Sequence, residues 1–234
     1  MKLTVIVTVY NEEKTILEAI KQAKALALDK QIIVVDNCST DGTKEILKKL
    51  DDPSLEIIFQ PQNYGYGQSV KTGVSLAGGE FVFVHNTDLE YDIECVYKML
   101  DIAEKENLDA VFGSRLYEKK HIFSIIKARP YYLGTLITTF LINLLYRREF
   151  TDIIGARFYR ASVFKKIEVD STKIGFDFEV VSRFCKAGLK IKEVPVSYTP
   201  RTSRQGKKVK AMDIIPAVMT ILKVKFLDKK RGVV

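Results

Sequence analysis

A chain of 234 residues with 47% apolar and 28% charged side chains is too hydrophobic to be disordered and long enough for one large domain. Its 37 basic against 29 acidic residues leave a net charge of +8, which asks for an anionic partner: nucleic acid, an anionic membrane face or anionic small substrates. Three widely spaced cysteines (Cys38, Cys95, Cys185) exclude a disulfide framework and a zinc pattern, and two distant histidines argue against a His-rich metal site.

The first apolar, β-branched run, 3–9, reads as a buried strand. It runs into acidic residues with no small-residue cleavage site, which argues against a secretory signal. Apolar positions at 16, 17, 20, 23 and 26–28 predict a helix over 13–28. Then follow a strand at 31–35, a helix at 43–50, a strand at 55–59, a glycine-bearing loop at 63–67 and a helix at 68–77. Next come a strand at 80–84, a helix at 93–106 and a strand at 109–112. Residues 130–146 carry no charge, with Arg129 before them, Arg147 and Arg148 after, and Tyr131, Tyr132 and Tyr146 at the ends. This stretch reads either as a core helix or as a helix at a membrane surface. A lone span would put the two halves of one α/β chain on opposite sides of a membrane, and is rejected. A strand at 156–159, a helix at 175–187, a strand at 191–196 and a terminal helix at 211–226 complete the chain, with no internal repeat and no Pro/Gly-rich linker. The first half alternates strand and helix in units of about thirty residues, which predicts an α/β fold with a mostly parallel central sheet flanked by helices.

In such sheets ligands bind where the strands deliver their C-terminal ends. The first predicted strand ends in Tyr10-Asn11-Glu12-Glu13, the second in Asp36-Asn37 with Asp41 beyond, and the fourth in His85-Asn86-Thr87-Asp88-Leu89-Glu90. One acidic turn is ordinarily a helix cap, and Asp41 reads as one. Three at one rim point to chemistry. Asn86, Asp88 and Glu90 alternate, so on an extended segment their oxygens face one point, which suits Mg2+ or Mn2+. An ordinary polar loop would also fit a lone D-x-E. Gly65-Tyr66-Gly67 makes no dinucleotide fingerprint, because Val70 stands where the third glycine belongs, and no Walker A lysine motif occurs.

The order V-T-V-Y-N-E-E, V-V-D-N-C-S-T-D-G-T, N-Y-G-Y-G-Q-S, H-N-T-D-L-E and G-S-R resembles the family 2 glycosyltransferases with the glycosyltransferase A fold. Thr151-Asp152, F-D-F-E at 176–179 and E-V-P-V-S-Y-T-P-R at 193–201 resemble their polyprenyl-phosphate sugar synthase branch, which includes dolichyl-phosphate mannose synthase. The resemblance runs from Lys2 to about Lys225. It implies a single domain over 1–234, with residues 1–115 holding a nucleotide sugar. Residues 116–234, with the apolar helix at 130–146 and the C-terminal helix, would hold the acceptor.

The resemblance also implies roles. Tyr10, Asn11, Glu13 and Asp36 would bind the donor, with Asn37 where the family often has a second Asp. Asn86 and Asp88 fall on the family's Asp-x-Asp, and with Glu90 would hold a divalent metal, Mg2+ or Mn2+. Asp88, Arg115, Asp152 and Glu179 would carry catalysis. Arg115, Arg129 and Arg201 would hold an acceptor phosphate, the Arg fork being suited to phosphate. In the branch a hydroxyl residue follows the Arg129 position by about one turn; here that place is Leu133, with Thr135 two residues on.

The function so implied is inverting, metal-dependent transfer of a hexose from a nucleoside-diphosphate sugar to a polyprenyl phosphate. It would take place peripherally, at the cytoplasmic face of a membrane. A lipid phosphate is already an anion and needs no base. If the acceptor is a hydroxyl instead, Asp152 or Glu179 would be the base. A catalytically inactive nucleotide-sugar binder is the further alternative, raised by Asn37 and Asn86. Nucleic acid is not expected as a partner, since the basic residues are scattered and no nucleic-acid motif occurs. A sugar-nucleotide pyrophosphorylase would need a Gly-rich basic turn in place of Tyr10–Glu13.

Overall fold

The computed structural model describes residues 1–117, 132–201 and 214–228. Its strands are β1 (Leu3–Val9), β2 (Lys30–Asp36), β3 (Leu55–Phe59), β4 (Phe81–Asn86), β5 (Ala110–Ser114), β6 (Ala156–Arg160) and β7 (Ile191–Pro195). They form one sheet in the order β3-β2-β1-β4-β6-β5-β7. Among the described strands only β6 runs antiparallel, wedged between β4 and β5. The helices are α1 (Ile16–Ala25), α2 (Thr43–Lys48), α3 (Tyr66–Leu76), α4 (Cys95–Lys105), α5 (Tyr132–Tyr146), α6 (Ala161–Phe164), α7 (Phe176–Lys186) and α8 (Ile214–Leu222). The last of these continues into a π-helical turn, Lys223–Leu227.

Both sheet faces are covered, which is why the central strands are apolar at nearly every position. Leu3, Val5, Val7 and Val9 of β1 pack with Ile16 and Ala19 of α1 and Val96 and Met99 of α4. Ile6 points the other way, into a core with Val70 and Val74 of α3, Ile142 of α5 and Val180 and Phe184 of α7.

The expected mostly parallel sheet with flanking helices is what forms, and each strand lies within two residues of its sequence-based bounds. Three details differ. The first helix starts at Ile16 rather than 13, because Asn11 turns the chain through a left-handed conformation (φ 55°) and residues 13–15 form a turn. The short helix α6 was not anticipated. The antiparallel sense of β6 is invisible to hydropathy, since a strand covered on both faces is apolar whichever way it runs.

Candidate active site

A cleft of about 560 Å3 opens where β1, β2 and β4 end. The parallel register that aligns Thr8 with Asn86, and Val9 with Asp36, brings the segments after these strands to one rim. Tyr10, Asn37, Asn86, Asp88, Glu90, Arg115 and Arg201 of the expected residues line this cleft.

Asn11, Glu13 and Asp36 do not line it. The Asn11 carboxamide accepts the Thr40 N–H at 2.7 Å and donates to Thr40 Oγ1 at 3.1 Å. Glu13 accepts the Gly42 N–H at 3.0 Å. Asp36 is fully buried and accepts the Ser39 N–H at 3.2 and 3.3 Å. These side chains sew the loop after β1 to the loop after β2, so they shape the rim where direct donor contact was expected.

Asn37 has a purpose an aspartate could not serve. Its Oδ1 accepts the Tyr64 N–H at 3.0 Å while its Nδ2 donates to Asn63 Oδ1 at 2.9 Å. That Asn63 oxygen also takes the Gly65 N–H at 3.0 Å, so the Asn63 amide cannot simply flip. Gly65 itself sits at φ 96°, where a Cβ would collide with the Thr172 carbonyl oxygen. Asn37→Asp removes the donor and sets a carboxylate against an oxygen. It should lower stability by about 1–2 kcal/mol, read as a fall in urea midpoint at unchanged slope; an unchanged midpoint would reject the assignment.

The segment after β4 does not stay extended. Leu89 is left-handed (φ 55°), and Asp88 Oδ1 accepts the Glu90 N–H at 3.2 Å. The alternation that was to converge three oxygens therefore ends at Asn86. Asn86 Oδ1 takes the Thr8 hydroxyl at 3.3 Å. Glu90 accepts the Tyr198 hydroxyl at 2.6 Å and the Arg201 N–H at 2.7 Å. Among the described residues no basic side chain forms an ion pair with Asp88, and no three His, Cys, Asp or Glu side chains converge as a ready metal centre. Burial, with Glu90 and Glu12 nearby, pushes the Asp88 carboxyl up to about 6, against the opposing pull of the Glu90 N–H and Arg201.

Arg115 reaches the cleft from the end of β5, sandwiched between Tyr132 and Tyr198 (5.4 and 5.2 Å to the ring centres). Asp152 lies behind it, wholly buried, taking the Arg115 Nε at 2.6 Å and Nη2 at 2.9 Å. Burial alone would raise the Asp152 carboxyl, but Arg115 and two backbone N–H groups hold it below its ordinary range. Asp152 therefore faces Arg115 rather than the cleft. Glu179 is further off: it takes the Asp170 and Ser171 N–H groups at 3.0 and 2.8 Å and Arg183 at 2.7 Å. Both were expected to carry catalysis; the geometry gives them anchoring contacts instead. Arg201 donates to both Glu12 oxygens at 3.0 and 2.9 Å and to the carbonyls of Asp88 and Thr87 at 2.8 and 3.1 Å. Arg129 and Tyr131 lie outside the described residues.

Sequence reasoning passed over Arg157 and Asp177, which both line the cleft. One signal was available. Arg157 sits mid-strand in A-R-F-Y-R, and in a sheet covered on both faces any such charge is buried and needs an explanation.

Comparison with known proteins bears on the family and the fold. Residues 4–168 match the profile of Glycosyl transferase family 2. The low-salt glycan biosynthesis hexosyltransferase Agl6 of Haloferax volcanii is 29% identical over 203 residues, 85% of this chain and 48% of its own, so the chain spans about half of that relative's length. An uncharacterized protein of Methanocaldococcus jannaschii is 28% identical over 218 residues, 89% of this chain and 86% of its own. Among solved structures, Mycobacterium tuberculosis glucosyl-3-phosphoglycerate synthase in complex with Mn2+, UDP and phosphoglyceric acid superimposes with a TM-score of 0.71. It is 15% identical, covering 98% of this chain and 80% of that one. S. aureus TarS in complex with UDP-GlcNAc gives 0.65 at 17% identity, covering 99% of this chain and 68% of that one. At these identities the two structures establish the glycosyltransferase A fold. With the family profile covering most of the chain, this protein belongs to glycosyl transferase family 2.

Proposed function

We propose that this chain transfers a hexosyl group from a nucleoside-diphosphate sugar to a polyprenyl phosphate at a membrane surface, with inversion and with the help of a divalent cation. One helix carries the reading. α5 turns Thr135 into the cleft and turns Leu133, Ile137, Phe140 and Leu144 outward, where they are 50, 41, 66 and 64% exposed. Their spacing makes a continuous apolar stripe. α8 packs alongside and exposes Ile215 and Met219, with Phe226 and Leu227 beyond. Exposed Arg147 and Lys223 stand at the ends of these helices, as suits an anionic lipid surface. Among the described residues no helix is long and apolar enough to cross a membrane. An acceptor with an apolar tail and a phosphate head is served on both sides of α5: the tail by the stripe, the head by a cleft lined by Arg115 and Arg201.

Asp88 fits a divalent cation, since its half-buried carboxylate forms no ion pair with a basic side chain among the described residues. Asn86 and Glu90 would complete the set by sharing oxygens already hydrogen-bonded. A cation so bound would neutralise charge developing on the departing diphosphate. The Mn2+ and UDP of glucosyl-3-phosphoglycerate synthase, on the same fold, support both the cation and the nucleotide. Asn37 and Tyr10 would meet the nucleotide, and Arg115, stiffened by Asp152, would face the phosphates. The basic ends of the stripe support a cytoplasmic-face position, where the leaflet carries anionic lipid.

The test begins with a panel of nucleotide sugars screened for thermal stabilisation with Mn2+ or Mg2+, followed by polyprenyl phosphate in anionic vesicles. Transfer to the lipid is expected. Phe140→Asp with Leu144→Asp should lower transfer to vesicle-borne acceptor at least about tenfold, from lost membrane binding, while leaving donor binding intact. Transfer only to a soluble sugar would reject the lipid acceptor.

A further inference from the structure

We propose that Arg157 and Asp177 form a subsite that reads hydroxyl groups of the transferred sugar; this rests on the nucleotide-sugar reading above. Arg157 stands opposite Val84 of β4 and Phe112 of β5, so it lies beside the segment that carries Asn86 and Asp88. It is 3% exposed, yet it lines the cleft. Its Nη2 donates to the Ile153 carbonyl, and its guanidinium lies over the Phe112 ring, 5.0 Å from the centre. Nε and Nη1 have no hydrogen-bond partner among the described residues. Asp177, at the start of α7, places Oδ1 3.6 Å from Nε, too far for a hydrogen bond, and this oxygen is unpartnered as well.

Folded proteins keep few buried polar groups in this condition, and such groups mark places where a ligand completes the bonding. The kind of ligand follows from charge and valence. A guanidinium and a carboxylate side by side are together neutral, so the pair has no net attraction for phosphate. It offers two N–H donors next to an acceptor. A hydroxyl group both accepts and donates, and neighbouring hydroxyls on a sugar ring satisfy both partners at once. Tyr66 lines the same part of the cleft, with its ring edge-on to Phe176 (5.9 Å between centres). The walls are thus set by packed side chains from β6, α3 and α7, as geometric discrimination between epimers requires.

The test measures kcat/KM for the preferred nucleotide sugar, its epimers and its deoxy analogues, using the wild-type chain, Asp177→Asn and Arg157→Lys. Binding of the nucleoside diphosphate alone is followed by calorimetry. A site built to bond a hydroxyl rejects the analogue lacking it strongly, so the wild type should discriminate at one ring position by about 100-fold or more. Either variant should cut that ratio at least about tenfold, at the same ring position, with nucleoside-diphosphate affinity held within about threefold. Asp177 is 22% exposed and its amide is close in size, so Asp177→Asn decides the matter alone if Arg157→Lys does not fold. An even fall in kcat/KM across all donors, with the ratio unchanged, would overturn the subsite. Loss of kcat for every donor with a changed acidic limb in the pH–rate profile would overturn it too, and make Asp177 a base for a hydroxyl acceptor. If the wild type binds nucleoside diphosphate but no sugar-bearing form, this inference fails alone; if it binds neither, the donor reading fails with it.

Discussion

Asp88→Asn is expected to cut turnover by about 100- to 1000-fold and, at the same time, to make the protein more stable at neutral pH. Both effects come from one carboxylate in a cleft whose burial lifts it from 3.8 to about 6. Because the folded state favours the protonated form, it binds more protons than the unfolded chain between those two values. Stability therefore falls as pH rises through that window and levels off above it. A lift of this size sets a ceiling of about 3 kcal/mol, and partial solvent access reduces this to about 1–2 kcal/mol. The neutral amide removes the penalty. Melting temperatures of wild type and variant should differ at pH 7.5 and converge near pH 4. Mn2+ should raise that of the wild type and leave the variant unmoved. Full turnover in the variant, or equal melting temperatures throughout, would reject Asp88 as the cation-facing group.

Asp152→Asn carries the largest expected loss of stability. It leaves the Arg115 guanidinium buried without its counter-charge, and removing one partner of a buried pair costs about 3–5 kcal/mol. That is a large share of the roughly 5–15 kcal/mol typical of a domain. The urea midpoint should drop steeply. Arg115→Met combined with Asp152→Leu should recover much of the loss, because then no charge is stranded. Since Asp152 titrates below its ordinary range, its contribution is complete above pH 3.8 and disappears as pH falls through the lowered value. A normal midpoint with lost kcat would instead make Asp152 a base acting on substrate.

The contrast between Asp88 and Asp152 shows what could be read from residue order. Strand positions were legible because a sheet covered on both faces forces runs such as V-I-V-T-V and F-V-F-V, and the acidic turns were legible because they follow those runs directly. Whether a carboxylate faces the cleft or another side chain was not legible. Asp36, Glu13, Asp152 and Glu179 are chemically as able as Asp88, but Glu13 and Asp152 are engaged by Gly42 and Arg115 through tertiary contacts across 29 and 37 positions, and Asp36 and Glu179 by local contacts with Ser39 and Arg183, 3 and 4 positions on, whose formation depends on how the chain turns. The extended-strand argument for Asn86, Asp88 and Glu90 missed a single left-handed residue, Leu89. Arg157 was missed because it lies within a strand rather than at its end, and its place beside Val84 depends on β6 inserting between β4 and β5.

The contacts of Arg201 carry a consequence for how the two substrates meet. Its guanidinium touches Glu12 from the β1 end and the Thr87 and Asp88 carbonyls from the β4 end, while its backbone is held by Glu90. Any anion that draws this guanidinium toward the cleft loosens a tie between the β1 and β4 ends, so its binding is coupled to the shape of the turn that carries Asp88. By reciprocity whatever reshapes the Asp88 turn changes the affinity for that anion by the same factor. Under the proposed function, donor and anionic acceptor would meet at this one side chain, each binding more tightly with the other in place.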